Sequence, residues 1–522
     1  MTAMACRLFL AFLISLAACT VVAQPAMVQP GEPIDYQPFA PERWKEKGQS
    51  TRMTPWVGKN ISFLTTSPDL DRKTMSVFLA RLDQGWELYA KQIGRAPAPN
   101  RILRGKPIIA AVPDPSFTCG IGCGFMGTTG IEVGGFYSTD YGLVSKQPDT
   151  FPHYYFYEMG RNYWLFGEQL QSFATGFAVF MRYVCMDGLQ IRDTDASTRK
   201  VIEQAESRLN DTNLTFLQAF TMTAGMSEKD NRLRDLAPSD QPVMFASAML
   251  RLRGEYGGDE WVTRFFHYLA DCPRAGSDNT PDSGQAQGLN WLVAASCAAR
   301  QDLTPLFTNR WRLPVGPKTQ SALRAIDWKA ENLSPKAILM SLPADELPLV
   351  FATRRPEFIT PARRKANLLA NASFEEKLGG RWSIASWRQN NQAVSSEMRE
   401  ARHGKRSLRI DNPEADDVRY LQKVAVKPNT RYLLSGWVKT NEVQVVEPGG
   451  RVGANLSILS RPEVTESQIG TRDWTYASLL FDSGPRTEIE ICARLGYSYS
   501  TTKGTAWFDE LVLVEVEEKA VP

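Results

Sequence analysis

The hydrophobic period of the chain changes for the rest of its length near residue 366, and that change constrains the fold more than any single motif. From Phe151 to Trp311 apolar residues recur at helical spacing, in stripes such as ATGFAVFMRYVCM, PVMFASAMLRLRGEYG, DEWVTRFFHYLA and LNWLVAASCAA. After Ala366 the texture becomes short alternating runs: RSLRI, RYLQKVAV, TRYLLSGWVKT, VGANLSIL, DWTYASLLF, TEIEICARL and TAWFDELVLVEV, broken by Gly, Pro, Asn and Asp. A period near 3.6 suits a helix and a period of 2 suits a strand, so the chain is expected to hold a mostly helical body followed by an all-β sandwich.

Ahead of the helical stripes, KNISFLTTS, from Lys59, reads as a strand. Met75, Phe78, Leu82, Trp86, Tyr89 and Ile93 predict a helix that stops at Gly94, and KPIIAAVPD and GIEVGG predict further strands. A small sheet thus precedes the helices, an α+β arrangement. Residues 24–55 carry six prolines and no hydrophobic period, which predicts an extended tether. The proline-punctuated, charged stretch 316–365 predicts a linker. The expected plan is a leader over 1–23, the tether over 24–55, an α+β domain over 56–315, the linker over 316–365 and the sandwich over 366–517.

With 522 residues, 43% of them apolar, the chain has ample material for a core. A net charge of +3 implies no polyanion partner and sets nucleic acid aside. The opening residues, MTAMACRLFLAFLISLAACTVVAQP, place one arginine before an apolar run too short to cross a bilayer, so they predict an export signal and an extracytoplasmic protein without a transmembrane helix. Two processing readings stand: Leu16-Ala17-Ala18-Cys19 resembles a bacterial lipobox, which would lipidate Cys19 and anchor the protein at the cell surface, whereas Val21-Val22-Ala23 suits cleavage before Gln24 and secretion. Cys119 and Cys123, in TCGIGCG, are close enough in a glycine-rich loop to pair, against the alternative of two unrelated thiols. Gly122, Gly124 and Gly127 spell a dinucleotide fingerprint, but they lead into a strand where that fingerprint must open a helix.

The stretch FPHYYFYEMGRNYW, residues 151–164, has the frame of an H-E-x-x-H zinc helix without its ligands. Tyr157 and Arg161 occupy the two histidine positions, and Glu158 remains between them. With the order of elements around it and the tail DLTPLFTNRWRLPV, residues 56–315 resemble the gluzincin-type zinc metallopeptidases, in particular the enhancin-like enzymes and the basic secretory proteins. In that family the third ligand is a glutamate, and the resemblance places Thr175 there. No zinc is expected, because a permanent cation at Arg161 repels a dication. The patch Tyr157, Glu158, Arg161 and Thr175 then stands as a structural relic, an altered ligand pocket or a site with another mechanism. His153 lies about 140° from Glu158 on an ideal helix.

Residues 366–517 resemble the carbohydrate-binding modules of families 4 and 9, jelly rolls, through NLLANASFE, GKRSLRI, QKVAVKPNTRYLLSGWVKT, GTRDW and GTAWFDELVL. Sugar binding needs aromatic faces ringed by polar groups, and Trp382, Trp387, Tyr420, Tyr497 and Tyr499 are the candidates. Trp437, Trp474 and Trp507 lie inside the strand landmarks and are expected in the core. The family resemblance also implies a structural calcium at Glu375 and Asp509, against the alternative that Glu375 is a solvated strand-end charge. The expected function is that of an exported pseudopeptidase that binds a polysaccharide or glycoprotein. The competing readings are a hydrolase acting on glycoproteins or glycans and a cell-surface structural protein.

Overall fold

The computed structural model describes residues 28–48, 51–211, 213–221, 241–276, 280–378, 380–388, 394–397, 400–446, 452–498 and 500–517. The chain divides into two compact units, the first from residues 28–89, 97–162 and 185–194, the second from 90–96, 163–184 and 195–517. The leader, Cys19 and Tyr499 lie outside the described residues.

The first unit is organised on a sheet with strand order Ile34–Asp35, Arg52–Val57, Ser62–Thr65, Lys106–Ala111, Ile131–Val133 and Gly122–Gly124, with Ile102–Leu103 paired beside Lys106–Ala111. Ser62–Thr65, Lys106–Ala111 and Ile131–Val133 run parallel, and the crossover between the first two is the helix Arg72–Ile93. That helix buries the predicted stripe, with Met75, Phe78, Leu82 and Tyr89 inside and Trp86 partly exposed. Gly94, at φ 71°, ends it.

The tether expected over 24–55 is instead folded wherever it is described. Ile34–Asp35 and Arg52–Val57 join the sheet, and Trp44, in the helix Pro41–Glu46, has no exposed surface. The Tyr36 hydroxyl and the Phe39 amide both donate to Glu132 Oε1, at 2.8 Å each. Pro41 opens the short helix, a place where proline's missing N–H costs nothing, and Tyr36 and Trp44 supply the apolar area that fixes the segment.

In the second unit the helix Pro281–Ala299 is buried along nearly its whole length, and its buried amides are satisfied by backbone: Gln285, Gln287 and Asn290 donate to Pro314 O, Gly276 O and Pro273 O. Thr280 caps it, its Oγ1 accepting the Ser283 amide at 3.2 Å. Trp291 anchors its middle against Phe245, Trp311 and Phe307, at ring separations of 4.8, 5.1 and 5.3 Å.

The stretch 316–365 is helical rather than a loose linker. Pro317, Pro335 and Pro361 each open a helix, Pro317–Arg324, Pro335–Ser341 and Pro361–Lys365, so the prolines that read as breaks mark helix starts. Leu349 and Ile359 pack against Leu433, Val512 and Val514 of the sandwich.

The sandwich is antiparallel throughout. One sheet has the order Gly470–Asp482, Arg431–Val445, Thr502–Glu515, Ser407–Asp416, Val394–Glu397, and the other Ala454–Ile458, Glu488–Leu495, Val418–Ala425, Ser383–Ser386. Leu408, Ile410, Leu434, Val438, Leu456, Ile491, Ala506 and Phe508 fill the space between the sheets.

Candidate functional site

The motif segment forms the helix Tyr154–Asn162 in the first unit. Its first turn is held by Asp140, whose Oδ2 accepts the Tyr154 hydroxyl at 2.5 Å and the Tyr155 hydroxyl at 3.0 Å. Burial raises both phenols far above their usual range, so both act as hydrogen-bond donors. Its last turn is sewn to the loop after the edge strand Gly122–Gly124: the Gly127 amide donates to Arg161 O at 3.1 Å, and Asn162 Nδ2 donates to Phe125 O and Gly130 O at 2.9 and 3.1 Å.

Glu158 is 6% exposed, and burial pushes its carboxyl up to about 7. The Arg161 guanidinium and a hydrogen bond from the Gly124 amide act in the other direction without cancelling the loss of water. The edge strand lies directly on this carboxyl. A Cβ on Gly122 would sit 2.8 Å from Oε1, and one on Gly124 would sit 2.7 Å from Glu158 O. A disulfide between Cys119 and Cys123 closes the chain leading into the strand. Glu158 is therefore covered by backbone rather than presented on an open floor. Tyr157 and Arg161 are half-buried on the same helix, and His153 precedes it, its carbonyl accepting the Tyr157 amide at 3.2 Å. Thr175 belongs to the second unit, near the start of the helix Ala174–Gly188. Among the described residues no group of three or more His, Cys, Asp or Glu side chains is placed to hold a metal ion.

In the sandwich, Glu375 and Asp509 grip one loop. Glu375 Oε1 accepts the Lys405 and Arg406 amides at 2.8 and 2.9 Å, and Asp509 Oδ2 accepts the Arg402 and His403 amides at 2.8 and 3.0 Å. Asp509 Oδ1 takes a further amide, that of Glu510, at 2.7 Å. Gly404, at φ 76°, sits where any side chain would collide with the Glu375 carboxylate. The amides hold Glu375 below the usual carboxylate range, whereas burial raises Asp509. The oxygens are of the hard type calcium prefers, and three of the four carboxylate oxygens accept backbone amides. As arranged, the pair clasps the loop 402–406.

Two of the aromatic candidates, Trp382 and Tyr420, exchange places with the tryptophans expected in the core. Trp382 is 4% exposed and Tyr420 7%, both within the core, with Trp382 Nε1 donating to Ala370 O at 3.2 Å; neither presents a ring to solvent. Tyr497 is half-buried, its hydroxyl donating to Arg461 O at 2.5 Å and its ring 4.5 Å from the Arg494 guanidinium. Trp387 is 73% exposed. Trp437, Trp474 and Trp507 stand partly exposed on the outer side of the five-stranded sheet. Strand parity carries that signal: Ala506 and Phe508 point inward, so Trp507 between them points out.

Around Trp507 the face is polar. Arg409 and Lys439 are its neighbours on the two flanking strands, and the Arg409 guanidinium lies 5.6 Å from its ring centroid. Arg409 pairs with Asp411 at 2.9 Å, the Thr505 hydroxyl donates to Asp411 at 2.8 Å, and Lys439 pairs with Glu400 at 2.8 Å. An aromatic ring framed by fixed donors and acceptors is suited to the apolar side and the hydroxyls of a sugar. The opposite end of the same sheet face is covered by Leu349, Phe358 and Ile359.

The C-terminal sandwich is a carbohydrate-binding module. Residues 366–489 match the family model of the 4/9-type carbohydrate binding domain. Solved structures similar to the chain include a CBM61 module in complex with β-1,4-galactotriose, at 16% identity and a TM-score of 0.22, covering 29% of this chain and 99% of that one. A CBM4 module matches at 16% identity and a TM-score of 0.20, covering 28% and 99% of the two chains. A functionally unknown conserved protein from Bacillus anthracis matches at 10% identity and a TM-score of 0.36, covering 71% and 69%. A comparison with curated proteins finds no match to the chain.

Proposed function

We propose that the protein is exported, secreted or lipid-anchored through Cys19, and that its module holds a polysaccharide or glycoprotein on the open end of the five-stranded sheet. The observation that carries this reading is Trp507, partly exposed between Arg409 and Lys439 on a module whose family binds carbohydrate. Trp474 stands on the same sheet, and Trp387, after the edge strand of the other sheet, is a further exposed aromatic of the module. The N-terminal body is a zinc-peptidase-like domain without metal-dependent hydrolysis. The guanidinium of Arg161 acts on the Glu158 carboxyl where the resemblance would place a cation, and a glycine strand lies over that carboxyl.

Native affinity electrophoresis of the full chain tests the binding, with β-1,4-galactan, xylan, mixed-linkage glucan and mucin cast in separate gels. Retardation by at least one polymer is expected, and free migration through all four would leave the structural-protein reading in its place. The hydrolase reading draws on one observation, a carboxyl that titrates near 7 and so has the proton affinity of a general acid or base. Chain-length analysis of the same polymers after long incubation decides it: cleavage that disappears in Glu158→Gln would replace the pseudopeptidase assignment.

A further inference from the structure

A cavity of about 210 Å³ lies where the segment ahead of the module meets the sandwich. Ser435, Trp437 and Tyr476 line it from the five-stranded sheet, Arg402 and Glu510 from its rim, and Arg364 from the helix Pro361–Lys365. Pro356 and Ile359 supply the wall that precedes the module, so a module excised at residue 366 would lack this site.

Two features mark the cavity as built for a ligand. Ser435 has no exposed surface, and its hydroxyl and the buried Tyr476 hydroxyl lie against each other without a well-formed hydrogen bond to any other group. A buried hydroxyl whose hydrogen-bonding capacity is unfilled costs folding free energy, so a pair that has only each other on one small cavity requires an account. Around them the side chains are already fixed: Trp437 and Tyr476 meet edge to face at 5.6 Å, the Arg402 guanidinium lies 4.4 Å from the Trp437 centroid, and Arg364 pairs with Glu510 at 2.8 Å. Burial raises the Tyr476 phenol to about 12, which keeps its proton available for donation.

We propose that this cavity is a second glycan subsite, taking one uncharged pyranose residue at a chain end or branch. The ligand class rests on the carbohydrate-binding reading above. The groups with unfilled hydrogen-bonding capacity are neutral hydroxyls, which complement sugar hydroxyls in both donor and acceptor roles. The Arg364 and Glu510 charges are already matched to each other, the Arg402 guanidinium is stacked on Trp437, and the volume is below the roughly 300 to 1,000 Å³ of pockets for drug-sized ligands, which limits the occupant to one ring.

Saturation-transfer NMR on the full chain tests this, with the methyl glycosides of glucose, galactose and xylose as neutral ligands and methyl glucuronide as the charged comparison. Saturation of at least one neutral glycoside is expected in the native chain and in Trp507→Ala. The double variant Ser435→Ala/Tyr476→Phe should weaken it by about fivefold or more, with a melting temperature close to or above native, because both hydroxyls of an under-satisfied buried pair are removed together. The proposal is overturned if no neutral glycoside is saturated, if glucuronide alone is, or if the double variant binds like the native chain. Failure of every polymer to retard the native chain would instead count against the Trp507 face, so the two ideas fail separately.

Discussion

Gly122 lies so close to Glu158 that a methyl group on it would sit 2.8 Å from the carboxylate Oε1, with the Glu158 Cγ equally near. Neither atom has room to retreat in a side chain that is 6% exposed. Gly122→Ala is therefore an overpacking substitution and should cost roughly 1 to 3 kcal/mol in chemical denaturation. Gly142→Ala, in the helix Tyr141–Lys146 with open space at its Cβ, is the matched control and should be neutral or slightly stabilising. Equal behaviour of the two variants would mean that the strand does not rest on the carboxyl.

Glu158 also gives the fold a pH dependence with a definite sign. Its folded carboxyl titrates near 7 against an ordinary value of 4.5, so the folded state binds the proton more tightly than the unfolded chain. For a raised acid, stability is fullest below pH 4.5 and falls as pH rises from there to about 7, by roughly 3 kcal/mol in all. Glu158→Gln should flatten this slope relative to the native protein, measured as denaturation midpoints between pH 4.5 and 8. A native protein whose stability follows the same pH course as the variant over that interval would contradict a carboxyl raised by burial.

The disulfide that leads into this strand closes a short loop, with a sequence separation of 4 between Cys119 and Cys123. On a chain-entropy account so small a loop contributes about 2 kcal/mol. Cys119→Ser/Cys123→Ser should lower stability by that order in unfolding experiments, and reductant should bring the native protein to the same level while leaving the variant unchanged.

The change of period near residue 366 locates the sandwich because alternation is a local property of each strand. Parity within a strand is local as well: Trp507, flanked by Ala506 and Phe508, belongs on the outer face, and treating it as core neglected that alternation. Trp382 offers no such handle. It precedes the strand Ser383–Ser386, and a turn with Phe374 at φ 57° folds its segment back onto the core. The cover over Glu158 is equally hidden, since it depends on a three-residue strand more than thirty positions away pairing with Ile131–Val133. Prolines misled twice, at Pro41 and over 316–365, because a proline at the first helical position reads in sequence like a break.

On the open sheet face, Trp507→Ala should weaken retention by whichever polymer retards the native chain by about tenfold or more, the effect of losing one stacking platform. Its partly exposed ring contributes less to the core than Phe508 beside it, so the melting temperature should move little. Arg409→Ala separates two roles for the guanidinium 5.6 Å from that ring. Weaker binding would show Arg409 to be a ligand contact, and tighter binding would show that it shields the ring from the sugar.

The two tryptophans on either side of the strand Ser383–Ser386 should behave in opposite ways. Trp382 is 4% exposed and packs on Phe374 with ring centroids 5.4 Å apart, so Trp382→Ala removes a large buried side chain and should cost about 3 to 5 kcal/mol in unfolding experiments. Trp387 is 73% exposed and is held through its backbone, its amide donating to Asp417 O at 3.1 Å, so Trp387→Ala keeps that bond and should change stability by less than about 0.5 kcal/mol. Any effect of Trp387→Ala must then appear in polymer retention, which is where a solvent-facing indole on a carbohydrate-binding module would act. If Trp387→Ala unfolds the module while Trp382→Ala leaves it intact, the assignment of inside and outside at this end of the sandwich is wrong.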